Sequence, residues 1–216
     1  MITIEIKDNS REAIARYSGG DKTSIKTISI NELIAAVSKD LEITTGILPS
    51  GTRFYSGTKK QYCIGMQVPA KVRTVKFSMM DKSYMLPFPE LLFVFSIRDK
   101  NIIKTKLFAC IPPIGRKHDM LYLFPFGNVY EDGSICWGSV NRYNVEEPAA
   151  LDGMVASFFS SVFSGHLTWG TRMFHPPADS GVGDLRGLVE YLSGKEHFPD
   201  NILKASSINI GSALGT

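Results

Sequence analysis

Isoleucine occupies every second position at the start of the chain. Ile2, Ile4 and Ile6 alternate with Thr3, Glu5 and Lys7, the period of a half-buried strand. Residues 8–11 predict a turn and residues 13–17 a returning strand, so the N-terminus reads as a β-hairpin closed off by Gly19-Gly20-Asp21. Ser29-Ile30-Asn31-Glu32 has the spacing of a capping box. It introduces an amphipathic helix through Leu33, Ile34, Ala36, Val37 and Leu41. Pro49-Ser50-Gly51 predicts a turn. Between residues 62 and 111 the pattern turns to β, with strands expected at 62–68, 73–77, 91–97 and 104–111 and a hairpin turn at Asp99-Lys100-Asn101. Leu151, Met154, Val155, Phe158, Phe159, Val162 and Phe163 then repeat at helical spacing and predict a helix over 148–164. Pro148 suits its first position and Gly165 its end. A second short helix is expected over 184–192, ended by Gly194. The Ser- and Gly-containing stretch 206–216 reads as a flexible tail.

Strands first and helices afterwards favour the α+β class. No repeat and no linker divides the chain. The expectation is one domain over residues 1–205, with the hairpin and helix of about 1–45 as an N-terminal extension.

Composition narrows the function classes. With 216 residues, 44% of them hydrophobic and 21% charged, the chain can bury a core without disulfide or metal staples. The net charge of +3 supplies no field for nucleic acid. Three cysteines cannot complete a disulfide framework and fit a reducing cytoplasm. The longest apolar runs, 91–97 and 121–126, fall far below the roughly 18 residues of a membrane span. The alternating start has no apolar signal region.

Most motif candidates fail. Residues 51–59 have one residue too many between Gly51 and Gly57 for a phosphate loop, and Thr58 precedes Lys59. They read as a solvated hairpin loop. Gly181-Val182-Gly183 lacks a third glycine and a preceding strand. His118, His166, His175 and His197 are unpaired, and Cys63, Cys110 and Cys136 lie far apart, so neither a zinc site nor any other cofactor site is expected. Lys59-Lys60 and Arg116-Lys117-His118 read as solvated basic spots. The aromatic and Met stripe of 151–163 reads as core.

Residues 121–138 carry the chemistry. Asp132-Gly133 is a strong turn signal, and Asn128 and Cys136 stand about equally far from it on opposite arms. An Asn amide beside a thiol suits acyl transfer: the thiolate carries the acyl group and the amide N–H donates to a developing oxyanion. Gly138 leaves room for an extended peptide beside the thiol. The plain alternatives are a buried core thiol and a turn-forming asparagine.

The run Asn128-Val129-Tyr130-Glu131-Asp132-Gly133-Ser134-Ile135-Cys136 resembles the active-site segment of ubiquitin-conjugating enzymes. In that family an HPN tripeptide is followed, eight residues after its Asn, by the catalytic cysteine, and then by a Pro-led helix similar in kind to that starting at Pro148. Phe126 and Gly127 replace the family's His and Pro, so the loop must be held in another way. Trp137 adjoins the thiol, where the family has its Trp further on, and Tyr84, Pro87, Phe88 and Pro89 echo its proline-rich strand from further upstream. These departures resemble a divergent prokaryotic branch, the PRTRC system protein B type, encoded beside a ThiF-like activating enzyme, a JAB-type isopeptidase and a ubiquitin-like protein.

The resemblance implies a UBC-like fold, an antiparallel β-meander flanked by helices. It also implies Cys136 as acyl carrier and Asn128 as oxyanion donor, with a protein target and no nucleic acid or membrane. Thiol-to-thiol transfer is near thermoneutral, so no strongly activated thiol is required. Glu131 and Asp132 offer no local reason for one. Two other readings stay open: a non-catalytic scaffold of the same fold, and a cysteine hydrolase pairing Cys136 with His166 or His175.

Overall fold

The computed structural model describes residues 2–6, 11–19, 22–41, 45–58, 60–139, 144–167 and 170–215. Residues 8–10 of the first expected turn, Gly20-Asp21 of the second, and Lys59 lie outside them, as do the side chains of Val37 and Leu41. The chain divides into two compact units, 1–44 and 45–216.

The first unit is a three-stranded antiparallel sheet followed by a helix. β1 (Ile2–Ile6) pairs with β2 (Glu12–Gly19), and β2 with β3 (Lys22–Ser29). The third strand is an addition to the expected hairpin. Its apolar residues Ile25 and Ile28 are three apart, so it lacks the alternation that marks a strand. The capping box closes as expected at α1 (Ile30–Leu41). The Ser29 N–H donates to Glu32 Oε2 at 2.9 Å, and the Glu32 N–H to Ser29 Oγ at 3.0 Å.

The second unit holds the core. β4 (Thr52–Gly57), β5 (Gln61–Val68), β8 (Glu90–Arg98), β9 (Asn101–Cys110), β10 (Met120–Tyr122) and β12 (Ala205–Asn209) form a six-stranded antiparallel sheet in the order β12-β10-β9-β8-β5-β4. β6 (Lys71–Phe77) and β7 (Ser83–Phe88) leave it as a hairpin and form a second sheet with β11 (Val162–Phe163). The expected meander is therefore interrupted: β5 pairs with β8. β4 occupies positions read as a loop; Gly51 just before it, at φ +70°, leaves no room for a Cβ, which would sit 2.2 Å from the Gln67 carbonyl. At the β8–β9 turn Asp99 and Lys100 both have positive φ, as a tight two-residue hairpin turn requires.

The apolar run in β8 follows from its position. Leu91, Phe93, Phe95 and Ile97 face the main core, with Leu151, Met154 and Phe158 of α2 (Leu151–Ser160) and Leu185, Leu188, Val189 and Leu192 of α3 (Leu185–Leu192). Leu92 and Val94 face the other way, onto Phe108, Cys110, Leu121, Ile210 and Ala213. That second layer corrects the reading of 206–216 as a flexible tail. β12 pairs with β10, and α4 (Ile210–Leu214), capped by Asn209, buries Ile210 and Ala213. A sheet covered on both faces needs apolar residues on both.

The helix expected over 148–164 is shorter. After a 3-10 turn at Pro148–Ala150, α2 ends at Ser160. Ser161 is extended, and its hydroxyl donates to the Phe158 carbonyl at 2.7 Å, competing with the helical ladder. Val162 and Phe163 then pair in parallel with Lys76 and Phe77 of β6. This short edge strand borders the site. Among the described residues no helix is long and apolar enough to cross a membrane.

Candidate functional site

The site is a tight hairpin between β10 and α2, anchored at its entry by an aromatic cluster. Phe126 is fully buried, its ring 4.6 Å from Phe88, 5.5 Å from Phe124 and 6.3 Å from Phe198. Next to it, a Cβ on Gly127 would stand 2.1 Å from the Ser164 carbonyl oxygen. The loop therefore runs against the backbone of the segment after α2, and only glycine permits the approach. Phe126 and Gly127 hold the loop by burial and by backbone contact.

Asn128 completes that clamp. Its backbone is left-handed, φ +67°, which Asn tolerates better than most residues. Its side-chain amide donates to the Val162 carbonyl at 3.0 Å and, more weakly, to Ser161 Oγ at 3.4 Å. Its Oδ1 accepts the Ser164 N–H at 2.8 Å. The residue is 7% exposed.

From Asn128 the chain turns and returns. The Cys136 N–H donates to the Asn128 carbonyl at 2.8 Å, Val129 pairs with Ile135, and the Tyr130 N–H donates to the Ser134 carbonyl at 2.9 Å. At the tip, the Ser134 N–H donates to Asp132 Oδ1 and the Ser134 hydroxyl to Asp132 Oδ2. Gly133, at φ +82°, lies against the Phe108 ring. The returning arm docks on β9: the Leu107 N–H donates to the Gly133 carbonyl at 2.8 Å, the Ile135 N–H to the Thr105 carbonyl at 3.2 Å, and Lys106 pairs with Ser134. Trp137 pins the exit, its Nε1–H donating to Thr105 Oγ1 at 2.8 Å and its ring edge-on to Phe158.

Alternation along this arm buries Ile135 and Trp137 and leaves Cys136 between them partly exposed. The main chain brings Asn128 and Cys136 together across the turn, while the Asn128 side chain is bonded to residues 161–164. At Gly138, φ +54°, a Cβ would meet nothing within 4 Å among the described residues.

The three thiols are unequal. Cys63 and Cys110 are buried. Burial pushes Cys63 above the ordinary thiol range, and burial together with Glu90 and Asp200 pushes Cys110 up to about 12. Charges gather at the hairpin tip. Burial opposes ionisation of Asp132, but the hydrogen bonds from Ser134 and the charges of Lys106 and Lys104 outweigh it, and its pKa lies below the usual carboxylate range. Burial, then Lys104, lowers the Lys106 amine, against the pull of Asp132.

Of the histidines of the hydrolase reading, His166 is linked to the Asn128 clamp through Ser164. The His166 ring is bonded to the Ser164 hydroxyl, and the His175 N–H donates to the Ile202 carbonyl at 2.8 Å. Among the described residues no group of three or more His, Cys, Asp or Glu is arranged to hold a metal ion. Sequence reasoning missed Ser161, Val162 and Ser164, which hold Asn128 from 33 to 36 residues away. It also missed Tyr130 and Lys106. The alternation of 128–136 was the signal that could have placed Tyr130 beside the thiol.

Compared with protein-family models, the chain matches prokaryotic E2 family D over residues 30–204, a span that contains the whole hairpin together with α1, α2 and α3. No curated protein matches the chain, and no solved structure does.

Proposed function

The chain belongs to prokaryotic E2 family D, and from that premise we propose that it carries a ubiquitin-like protein as a thioester on Cys136 and passes it to an amine. The observation that supports this most is the setting of Cys136. It is the partly exposed cysteine of the three, on a hairpin fixed by β9, Trp137 and the Asn128 carbonyl.

In the first step the Cys136 sulfur attacks the thioester carbonyl on an activating enzyme. A new C–S bond forms, the old one breaks, and the activating enzyme's thiolate leaves. The exchange is near thermoneutral. In the second step a neutral amine nitrogen attacks, the C–N bond forms, the nitrogen gives up a proton to solvent, and the electron pair of the breaking C–S bond returns to Cys136. Each step develops negative charge on the carbonyl oxygen. Asn128 is the donor to that oxyanion. The N–H it gives to Ser161 at 3.4 Å is the weakest of its bonds and the one to exchange, while Val162 and Ser164 hold the amide in place. The partners in this reading are a ThiF-like activating enzyme and a ubiquitin-like protein, with a JAB-type isopeptidase as the reversing activity, as in the PRTRC type, and the setting is the cytoplasm.

Incubation with ATP, the activating enzyme and the ubiquitin-like protein, followed by a non-reducing gel, tests the proposal. A thiol-sensitive adduct is expected, absent in Cys136→Ala and converted to a thiol-resistant oxyester in Cys136→Ser. An adduct that survives Cys136→Ala would overturn it. Binding of the ubiquitin-like protein with no adduct at all would leave a scaffold role instead.

A further inference from the structure

Tyr130 stands on the same face of the hairpin as Cys136. With Asn128 opposite Cys136 and Tyr130 opposite Ser134, Tyr130 and Cys136 are diagonal neighbours, a separation an aromatic side chain spans. Tyr130 is 46% exposed and Cys136 is partly exposed, so the two side chains share an open face of the hairpin. The Tyr130 hydroxyl is coupled to Cys136 through charge and hydrogen bonding.

Resting on the acyl-carrier reading of Cys136, we propose that Tyr130 is a further catalytic residue, the hydrogen-bond donor to the Cys136 sulfur. The phenol O–H donates to the thiolate before attack. It loses that partner when the C–S bond forms and sulfur becomes neutral. It donates again as the C–S bond breaks and the electron pair returns to sulfur. No proton leaves the phenol at any stage.

The electrostatics fit a phenol that keeps its proton. The negative charge of Cys136 is the largest influence holding the Tyr130 hydroxyl above the ordinary tyrosine range, followed by desolvation, the hydrogen bond to Cys136 and the charge of Asp132. Other charged groups around the hairpin are Lys104 and Lys106 of β9 and Glu131, which pairs with Arg172 at 3.9 Å. The lysines balance Asp132, which leaves the phenol as the neutral donor at the sulfur.

The test needs no partner protein. Alkylation of Cys136 by iodoacetamide, followed by mass spectrometry of its peptide across pH 6–10, reads the thiolate directly. Tyr130→Phe keeps the ring and removes the donor. Alkylation near pH 7 should slow about tenfold, the scale of a hydrogen bond to a charged group. Asp132→Asn should shift the profile the opposite way, because it removes a negative charge. Superimposable profiles for wild type and Tyr130→Phe would overturn the inference even if Cys136 is loaded by the activating enzyme. A shifted profile in a protein that is never loaded would sustain the hydrogen bond and sink the acyl-carrier reading.

Discussion

Gly127 and Asp132 set the loop from its two ends. A methyl group on Gly127 would fall inside the Ser164 carbonyl, so Gly127→Ala must push the loop off β11 and break the Asn128 bonds to Val162 and Ser164. The expected cost is about 1–3 kcal/mol in urea unfolding, the range of overpacked sites, with slower Cys136 loading. Asp132 acts through charge. Its folded pKa lies below its unfolded value, so it contributes stability above about pH 4 that is lost as pH falls through the folded pKa. Melting temperature measured from pH 6 to pH 3 should therefore fall less steeply for Asp132→Asn than for wild type. The thiol, the asparagine and the turn were legible because their relation is local: nine residues encode the hairpin. The clamp was not. Phe126-Gly127 reads in sequence as a loss of His-Pro, and its purpose emerges only when Ser164, 37 residues on, is placed against it.

Elements were legible where apolar residues run densely or the turn chemistry is strong. β5, β6, β8 and β9 fall where Val, Ile and Phe cluster, and α3 begins at Asp184, whose Oδ1 accepts the Gly187 N–H at 2.8 Å. The illegible elements share a physical cause. β10 and β11 have three and two residues, too few to show a period, and β12 (Ala205-Ser206-Ser207-Ile208-Asn209) lacks an apolar alternation; all three exist because a neighbouring strand offers an edge. α4 was hidden by its Ser and Gly content, although its Ile210 fills the layer over Leu92, Val94 and Phe108. Ile210→Ala should cost about 2–4 kcal/mol in chemical denaturation, as large-to-small core changes do. Ending the chain after Asn209 should uncover the same layer and make Cys110, now pushed up to about 12 by burial and carboxylates, react with a thiol reagent under native conditions. An unchanged count of reactive thiols would show that α4 does not seal that face.

At the scale of the molecule, the two units differ in what could hold them folded. Every residue of both buried clusters lies between Leu48 and Leu214. Among the described side chains of residues 1–44, Ala13 is the buried hydrophobic one. Apolar burial is the dominant favourable contribution to folding and scales with area removed from water. Residues 45–216 therefore carry the stability, since a three-stranded sheet stands alone through a hydrophobic face or a packed helix, and the described side chains of residues 1–44 bury little. The family match nonetheless begins at residue 30 and takes in α1, so membership does not follow the line between the units. The fragment 45–216 should fold alone, unfold in one cooperative transition, and show the same rate of Cys136 alkylation as the full chain, because the hairpin and all its hydrogen-bond partners lie within it. In hydrogen exchange on the full chain, amides of residues 1–44 should lose protection well before those of β8 and β9. A fragment without cooperative unfolding, or a Cys136 that changes its alkylation rate when residues 1–44 are removed, would show that the first unit is part of the core's stability or of the site.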